Sequence, residues 1–104
     1  MTIDWTARAM TPAEAVAGVR SGMRIFVQGA AATPTPLLAA LAERRDLEGV
    51  RLYHMHTEGP APWIGHPGLR SVSLFTGAAV RAAVQAGEAD FIPVFLSDIP
   101  RLFA

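Results

Sequence analysis

The sequence predicts a three-layer α/β domain in which a mostly parallel sheet carries helices on both faces. A continuous apolar run, Ile25-Phe26-Val27, is typical of a strand that is covered on both sides. A second strand is predicted at residues 50–54, after a helical segment rich in Ala and Leu. A strand, a helix and a strand within so short a span indicate a right-handed crossover between parallel neighbours.

The composition limits the classes of protein to which the chain can belong. The chain has 104 residues, 51% of them hydrophobic, which is typical of one folded domain. Its formal net charge of +0 gives no electrostatic reason to expect a nucleic acid or an anionic membrane as partner. The absence of Cys excludes disulfides, thiol catalysis and Cys-ligated metals. We find no membrane-length apolar run and no signal peptide in the first nine residues, so a cytoplasmic protein is predicted.

The first helix has clear boundary signals. Thr11 can cap it, Pro12 fits its first position, and Glu14 completes a capping box. Gly22 is predicted to end it. This short helix should pack on a larger body.

The second helix follows the first strand and is predicted to begin at Thr33 or Thr35, since each is followed by a Pro that fits a first helical turn. Leu37, Leu38 and Leu41 are predicted to form its buried stripe.

A long loop rich in Gly and Pro is predicted at residues 57–68. A loop of that length inside a compact domain is more often functional than idle. Trp63 and Ile64 within it could cap a pocket or cover a neighbouring domain, and His66 is predicted to be exposed.

The remaining elements follow in order along the chain. We predict a strand at residues 71–75 with one wet face and a helix at residues 78–86 that ends at Gly87. A buried strand is predicted at residues 90–95, where Pro93 implies an edge position or a bulge. The chain stops after barely one turn of a last helix near Pro100, which is marginal without packing. Residues 1–104 are therefore predicted to be a single, partial α/β domain.

The turn after the first strand is the main candidate for chemistry. It reads Gln28-Gly29-Ala30-Ala31-Ala32-Thr33-Pro34 and matches neither the dinucleotide fingerprint nor a Walker loop. Its small side chains would let backbone N–H groups approach an anion beside a helix N-terminus. The alternative is that Gly29 and the alanines only allow the helix to pack close to the sheet.

Two histidines and a glutamate lie at the end of the second strand and in the segment that follows it. His54 and His56 are spaced so that both could chelate a metal from one face. They lack a third His or Cys partner, so we favour a buried His54 and a loop-lining His56, and we predict no metal. Thr57 and Glu58 are candidate pocket residues; nothing in the sequence orients Glu58 as a base or nucleophile.

Three segments carry a resemblance to a known family. They are Gly22-Met23-Arg24-Ile25-Phe26-Val27-Gln28-Gly29 with the following Ala-Ala-Thr-Pro, then residues 50–59, and then residues 86–100. Taken in order, they resemble the amino-terminal half of the acetyl-CoA hydrolase/transferase family. Its members are coenzyme A transferases that act on acetate, butyrate, 4-hydroxybutyrate or succinate. The resemblance covers nearly the whole chain from Thr11 onward.

The resemblance implies a mechanism whose nucleophile lies outside this chain. Family enzymes have two similar α/β domains, and a glutamate of the carboxy-terminal half forms an acyl anhydride and then a glutamyl-CoA thioester. That glutamate's motif does not occur here, so no catalytic residue is assigned. The resemblance implies binding roles, including oxyanion or carboxylate stabilisation, for residues 29–33 and 56–59, which include Gly29, Ala30, Ala31, Thr33, His56, Thr57, Glu58 and Gly59. Gln28 is predicted to line the same wall because it ends the first strand.

The implied partners are an acyl-CoA, a carboxylate and the missing carboxy-terminal domain, and a homodimer is one assembly that the sequence allows. The coenzyme A thioester would be a substrate, not a permanently bound cofactor. One alternative is a free-standing α/β module that binds an acyl-CoA or a sugar phosphate without turnover. Another is a purely structural chain that dimerises or scaffolds.

Overall fold

A computed structural model describes residues 2–104; Met1, which belongs to the predicted domain, lies outside this range. Within it, four parallel strands form one sheet in the order β1-β2-β3-β4. The strands are β1 Arg24–Val27, β2 Val50–Met55, β3 Leu69–Phe75 and β4 Asp90–Phe91. The α-helices are α1 Pro12–Val16, α2 Thr35–Glu43, α3 Ala78–Gln85 and α4 Ile99–Leu102. None of the helices in this range is long and apolar enough to cross a membrane.

The main core lies on one face of the sheet. Because the strand order follows the chain, right-handed crossovers all fall on the same side. Each connection contributes to a single buried cluster, with Leu38 and Leu41 from α2, Trp63 from the long loop and Val80 from α3. Their burial against β1 and β2 supplies the main hydrophobic stabilisation of the fold.

The opposite face carries a thinner layer. Phe26 and Tyr53 are register partners that point away from the main core. Phe103, directly after α4, packs edge-to-face on both rings at centroid distances of 5.7 Å and 5.3 Å. Helices therefore lie on both faces of the parallel sheet, and the predicted three-layer α/β architecture is confirmed.

The cap of α1 at Thr11 is confirmed, although Glu14 accepts from the Thr11 hydroxyl and not from the Thr11 N–H, as a complete capping box would require. The Glu14 N–H donates to Thr11 Oγ1 over 3.2 Å, and the Thr11 hydroxyl donates to the Glu14 carboxylate over 3.0 Å. The helix ends at Val16, however, and Gly22 lies in the loop that follows, so the predicted end was wrong. Arg44 stabilises this early end, because its guanidinium donates to the carbonyl of Val16 over 2.9 Å and pairs with Asp46 over 2.7 Å.

Two strand predictions were wrong in detail. Ser71 and Ser73 do not form a wet face of β3, since both are fully buried. They are tolerated because each hydroxyl has a partner, the indole of Trp63 over 3.1 Å and Thr76 Oγ1 over 2.9 Å. The last strand is also shorter and more exposed than the predicted buried segment 90–95. It ends at Phe91 and lies at the sheet edge, as Pro93 indicates.

The long loop after β2 is anchored inside the protein. Trp63 is 1% exposed and belongs to the main core, so the prediction that it caps a pocket or covers another domain was wrong. His66 is 7% exposed and not solvated as predicted. Its Nε2–H donates to the Arg44 carbonyl over 2.7 Å, and its Nδ1 accepts from the Gly68 N–H over 2.9 Å. These two partners assign the neutral Nε2–H tautomer.

Replacing His66 by Ala should destabilise the protein by about 2–4 kcal/mol, because it removes two hydrogen bonds and leaves the buried Gly68 N–H without an acceptor. Urea unfolding followed by tryptophan fluorescence measures the change. Pro67→Ala, at the exposed neighbouring position, is the control and should stay within about 1 kcal/mol of the parent, because it changes mainly the entropy of the unfolded chain. Equal losses in the two variants would contradict the anchoring role of His66.

Candidate functional site

The two loops singled out in the sequence meet at the carboxyl edge of the sheet. β1 and β2 are parallel neighbours, with Val27 opposite His54, so the segments that follow them emerge side by side. The Ala30 N–H donates to the His56 carbonyl over 2.7 Å, and the Glu58 N–H donates to Thr33 Oγ1 over 3.3 Å. We call residues 28–33 the first loop and residues 56–59 the second loop.

Gly29 is required by the closeness of this contact. A Cβ built on it would lie 2.2 Å from the carbonyl oxygen of Met55, where no side chain fits. The glycine therefore lets the first loop touch the end of β2. The alternative considered from the sequence was that Gly29 lets α2 pack close to the sheet. That packing is not the reason why this position requires Gly.

Both loops hold a non-glycine residue in the left-handed region. Ala30 has φ of 53° and His56 has φ of 50°. Such conformations cost roughly 1–3 kcal/mol each, persist only where the surroundings enforce them, and cluster at ligand sites. Here the Ala30–His56 hydrogen bond joins the two residues directly, so each helps to keep the other in its left-handed conformation.

Thr33 links the loops and does not start the helix. Of the two predicted starts, Thr35 is the observed one, and a 3₁₀ turn at Ala30–Ala32 precedes it. The Thr33 hydroxyl donates to the Ala30 carbonyl over 2.7 Å and accepts the Glu58 N–H.

The first loop uses half of its amides internally. The N–H groups of Ala30, Ala32 and Thr33 donate to carbonyls within the two loops. Among the described residues, the amides of Gln28, Gly29 and Ala31 have no acceptor. These three are the donors that the first loop offers to an anion.

The predicted residues line two adjoining clefts that share His56. A smaller cleft of about 210 Å³ is bounded by Phe26, Gln28, Gly29, Ala30, Met55 and His56. A larger cleft of about 560 Å³ is bounded by His56, Thr57, Glu58, Gly59, Gly77, Ala78 and Ala79. The His56 ring stands between them and stacks on Phe75 at 4.1 Å between centroids.

The side chains of the candidate residues differ in how firmly they are held. Thr57 is buried, and its Oγ1 has no hydrogen-bond partner within residues 2–104. Glu58 is exposed, and its carboxylate is oriented by no hydrogen bond or ion pair in this part of the chain. Gln28 is also exposed at the mouth of the smaller cleft.

Sequence reasoning missed a third contributor to the site. The turn after β3 reaches the same edge, and Gly77, Ala78 and Ala79 at the start of α3 form one wall of the larger cleft. The signal was present, because Thr76-Gly77-Ala78-Ala79 is a second small-residue turn between a strand and a helix. All parallel strands end at one edge, so this turn had to lie beside the other two.

His54 supports the site from below without lining either cleft. It is fully buried, its Nε2 hydrogen-bonds Ser71 Oγ, and its ring meets Trp63 edge-to-face. Burial lowers its pKa from 6.5 to about 4, since charging it would place an unpaired cation in the core. The imidazole is therefore neutral at pH 7.

The two histidines do not form a metal site. A register shift between His54 and Met55 interrupts the alternation of β2, which leaves His54 buried and His56 exposed. Over residues 2–104, no group of three or more His, Cys, Asp and Glu side chains is arranged to hold a metal ion.

Comparison with known sequences gives one family. The family model of the acetyl-CoA hydrolase/transferase N-terminal domain matches residues 2–104. The succinyl-CoA:acetate/propanoyl-CoA:succinate CoA transferase of Fasciola hepatica is 46% identical over 89 residues, which cover 82% of this chain and 19% of that protein. The succinyl-CoA:cyclohexane-1-carboxylate CoA transferase of Geobacter metallireducens is 36% identical, over 95% of this chain and 23% of that protein.

A solved structure is also similar. The crystal structure of RipA from Yersinia pestis matches with a TM-score of 0.75 and 27% identity, over 89% of this chain and 25% of that one. The chain thus spans about a fifth to a quarter of the length of the proteins it matches.

Gly29→Ala should cost about 2–3 kcal/mol of stability, because the methyl group must push the first loop away from the Met55 carbonyl. Chemical denaturation measures the loss, and the amide shifts of Ala30 and Glu58 report the separation of the loops. Gly18→Ala is the matched control, since a Cβ at Gly18 meets nothing within 4 Å. A Gly29→Ala protein as stable as the Gly18→Ala protein would contradict the close approach.

Stability should depend on pH through His54. Its folded pKa of about 4 lies below the unfolded value of 6.5, so the unfolded chain binds the proton first as the pH falls. The contribution of neutral His54 is complete above pH 6.5 and is lost towards pH 4. Between pH 7 and pH 5 the free energy of unfolding should fall by about 2 kcal/mol more than in His54→Gln. Parallel urea titrations of both proteins test this, and equal slopes would show that His54 is not the titrating group.

Proposed function

This chain belongs to the acetyl-CoA hydrolase/transferase family through its N-terminal domain, and we propose that it forms one wall of an acyl-CoA site in an enzyme that moves CoA between a short acyl-CoA and a carboxylate. The family resemblance read from the sequence is confirmed. The observation that carries the proposal is the junction of the first and second loops, where two strained residues and a glycine-dependent contact bound two adjoining clefts.

The names of the relatives favour transfer to a carboxylate over hydrolysis. The relatives from Fasciola hepatica and Geobacter metallireducens are named for transfer between succinyl-CoA or propanoyl-CoA and an acid, and a third from Clostridium kluyveri is a 4-hydroxybutyrate coenzyme A transferase. The wall of the larger cleft formed by Gly77, Ala78 and Ala79 has only small side chains, which would leave room for a short acyl group.

The proposed reaction needs a glutamate from outside these 104 residues. Its carboxylate attacks the thioester carbonyl, the C–S bond breaks, and CoA thiolate leaves an acyl-glutamyl anhydride. The thiolate then attacks the glutamyl carbonyl, releasing the first acid and leaving a glutamyl-CoA thioester. The acceptor carboxylate next attacks that thioester and expels CoA thiolate to form a second anhydride, from which the thiolate takes the new acyl group and restores the glutamate.

The contribution of this chain would be binding and electrostatic stabilisation. Each attack places negative charge on a carbonyl oxygen, and preorganised N–H groups stabilise such charge. In the first loop, the amides of Gln28, Gly29 and Ala31 have no acceptor, and hydrogen bonds to the second loop hold the first loop in place. Loops of this rigidity lose little freedom when the substrate binds.

Glu58 would line the pocket and not act as the nucleophile. Its carboxylate is exposed and held by no partner among residues 2–104, whereas its backbone N–H is committed to Thr33. A cytoplasmic location, a homodimer and a carboxy-terminal partner domain stay predictions.

The proposal is tested with a non-reactive thioether analogue of acetyl-CoA. In ¹⁵N-labelled protein, its addition should shift amides of the first and second loops. Thr33→Val should weaken binding about fivefold, because one loop-to-loop hydrogen bond is lost. Thr2→Val, at an exposed position in the N-terminal lead-in, is the control and should bind like the parent.

Covalent chemistry gives a second readout on the same protein. After incubation with acetyl-CoA, mass spectrometry should find no CoA adduct on Glu58 and no CoA transfer to acetate or succinate. Enzyme-like transfer by residues 1–104 alone would contradict the external nucleophile. Tight binding of acyl-CoA that never supports transfer in a longer form of the protein would favour a binding module instead.

A further inference from the structure

Three arginines stand in one row across the sheet. Arg24 in β1 is the register partner of Arg51 in β2, and Arg51 is the register partner of Arg70 in β3. Register partners on parallel strands lie on the same face, about 4.8 Å apart. These residues are at the amino ends of their strands, at the edge of the sheet opposite to the first and second loops. We call them the arginine row.

The fold neutralises only one member of the arginine row. The Arg70 guanidinium donates to the Asp90 carboxylate over 2.9 Å and 3.1 Å, and this pairing lowers the pKa of Asp90. The Arg24 and Arg51 side chains are exposed, and no acid within residues 2–104 pairs with them. Like charges directly opposite each other on neighbouring strands destabilise a sheet. The row therefore holds two uncompensated positive charges at a repulsive spacing.

Aromatic rings lie beside the arginine row on the same face. Phe26 and Tyr53 follow Arg24 and Arg51 by two positions, which is roughly 7 Å along each strand. Phe103 packs edge-to-face on both rings and is itself 46% exposed. Arginine and aromatic residues are enriched in protein–protein interfaces. The row and Phe103 together offer positive charge and apolar surface to one partner.

The charges of this surface favour an acidic polypeptide over a nucleic acid. The chain has a formal net charge of +0, and Asp90 places a carboxylate at one end of the arginine row. That carboxylate would repel a continuous phosphate backbone, whereas separate carboxylates on a polypeptide can pair with Arg24 and Arg51 alone. Guanidinium groups bind carboxylates through two parallel hydrogen bonds, and apolar side chains of the same segment can cover Phe103.

We propose that the arginine row and Phe103 form a docking surface for a polypeptide segment that combines carboxylates with apolar side chains. The carboxylates pair with Arg24 and Arg51 and remove their mutual repulsion, and the apolar side chains bury the exposed part of Phe103. The proposal does not rest on the proposed function, because none of these residues bounds the larger or the smaller cleft.

The probe is a short acetylated peptide of Glu, Leu and Ser, titrated into the ¹⁵N-labelled chain. The largest shifts should fall on the side-chain Nε–H groups of Arg24 and Arg51 and on the amide of Phe103. The same peptide with Gln in place of every Glu should bind about tenfold more weakly, and added sodium chloride should weaken binding of the acidic peptide. A single-stranded oligothymidylate that binds these groups more tightly than the peptide would overturn the proposal, as would an acidic peptide that shifts none of them.

Single substitutions test the arginine row itself. Arg24→Gln and Arg51→Gln should each weaken peptide binding about fivefold, because each removes one charge-assisted pair. Arg81→Gln is the matched control, since Arg81 is exposed on α3, which packs on the opposite face of the sheet. It should bind the peptide like the parent. Equal affinities of the parent, Arg24→Gln and Arg51→Gln would overturn the proposal.

Stability separates docking from a structural role. Arg51→Glu puts a carboxylate between Arg24 and Arg70, so a repulsive row becomes an attractive one. The urea midpoint of this variant should therefore rise above that of the parent, while its affinity for the acidic peptide falls about tenfold. If Arg51 served the fold of the free protein, the midpoint would fall instead, and that result would overturn the uncompensated repulsion on which the proposal rests.

Competition distinguishes this surface from the proposed acyl-CoA site. The thioether analogue of acetyl-CoA should leave peptide binding unchanged, because the docking surface and the two clefts lie at opposite edges of the sheet. Displacement of the peptide by the analogue would overturn a separate docking surface. Peptide binding in a protein that never binds the analogue would support this surface and overturn the proposed function.

Discussion

Four parallel strands lie in the sheet in the order of the chain, so every connection must run back from the end of one strand to the start of its neighbour. The rest of the structure follows from that constraint. The connections fall on one face, where Leu38, Trp63 and Val80 meet in a single core. The opposite face is left to the last helix and Phe103. The same constraint puts three turns side by side at the carboxyl edge, which is where α/β folds place their ligands.

The turns at that edge differ in their use of the backbone. The first and second loops satisfy each other, through the Ala30–His56 hydrogen bond and the approach of Gly29 to Met55, and so become a rigid frame. The turn into α3 leaves its amides free. The carboxyl edge therefore combines a frame held by hydrogen bonds with backbone donors that are still free, in the first loop as well as at α3, and preorganised sites need both.

Polar side chains in the core hold the site from beneath. His54, Ser71 and Trp63 form a buried hydrogen-bonded group directly under the register shift that exposes His56. Buried polar groups are costly unless satisfied, so the bonds of Ser71 favour one arrangement of the surrounding elements, whereas His54 Nδ1 is buried without a partner among the described residues. His66 does the same for the far end of the long loop, by joining Arg44 to Gly68.

The sequence by itself determined the class of fold, the parallel sheet, the cap at Thr11 and the position of the first and second loops, because these depend on local periodicity and turn chemistry. Only the tertiary structure decided which polar residues are buried. Ser71 and His66 look wet or exposed in the sequence, and their partners lie on segments remote along the chain. It also decided that Gly29 is needed for contact with Met55, and that Gly77 to Ala79 complete the larger cleft. The turn at Gly77 to Ala79 had a local signal in its small residues, but the partners of Ser71 and His66 and the approach of Gly29 to Met55 exist only once the strands are paired, so no local pattern predicts them.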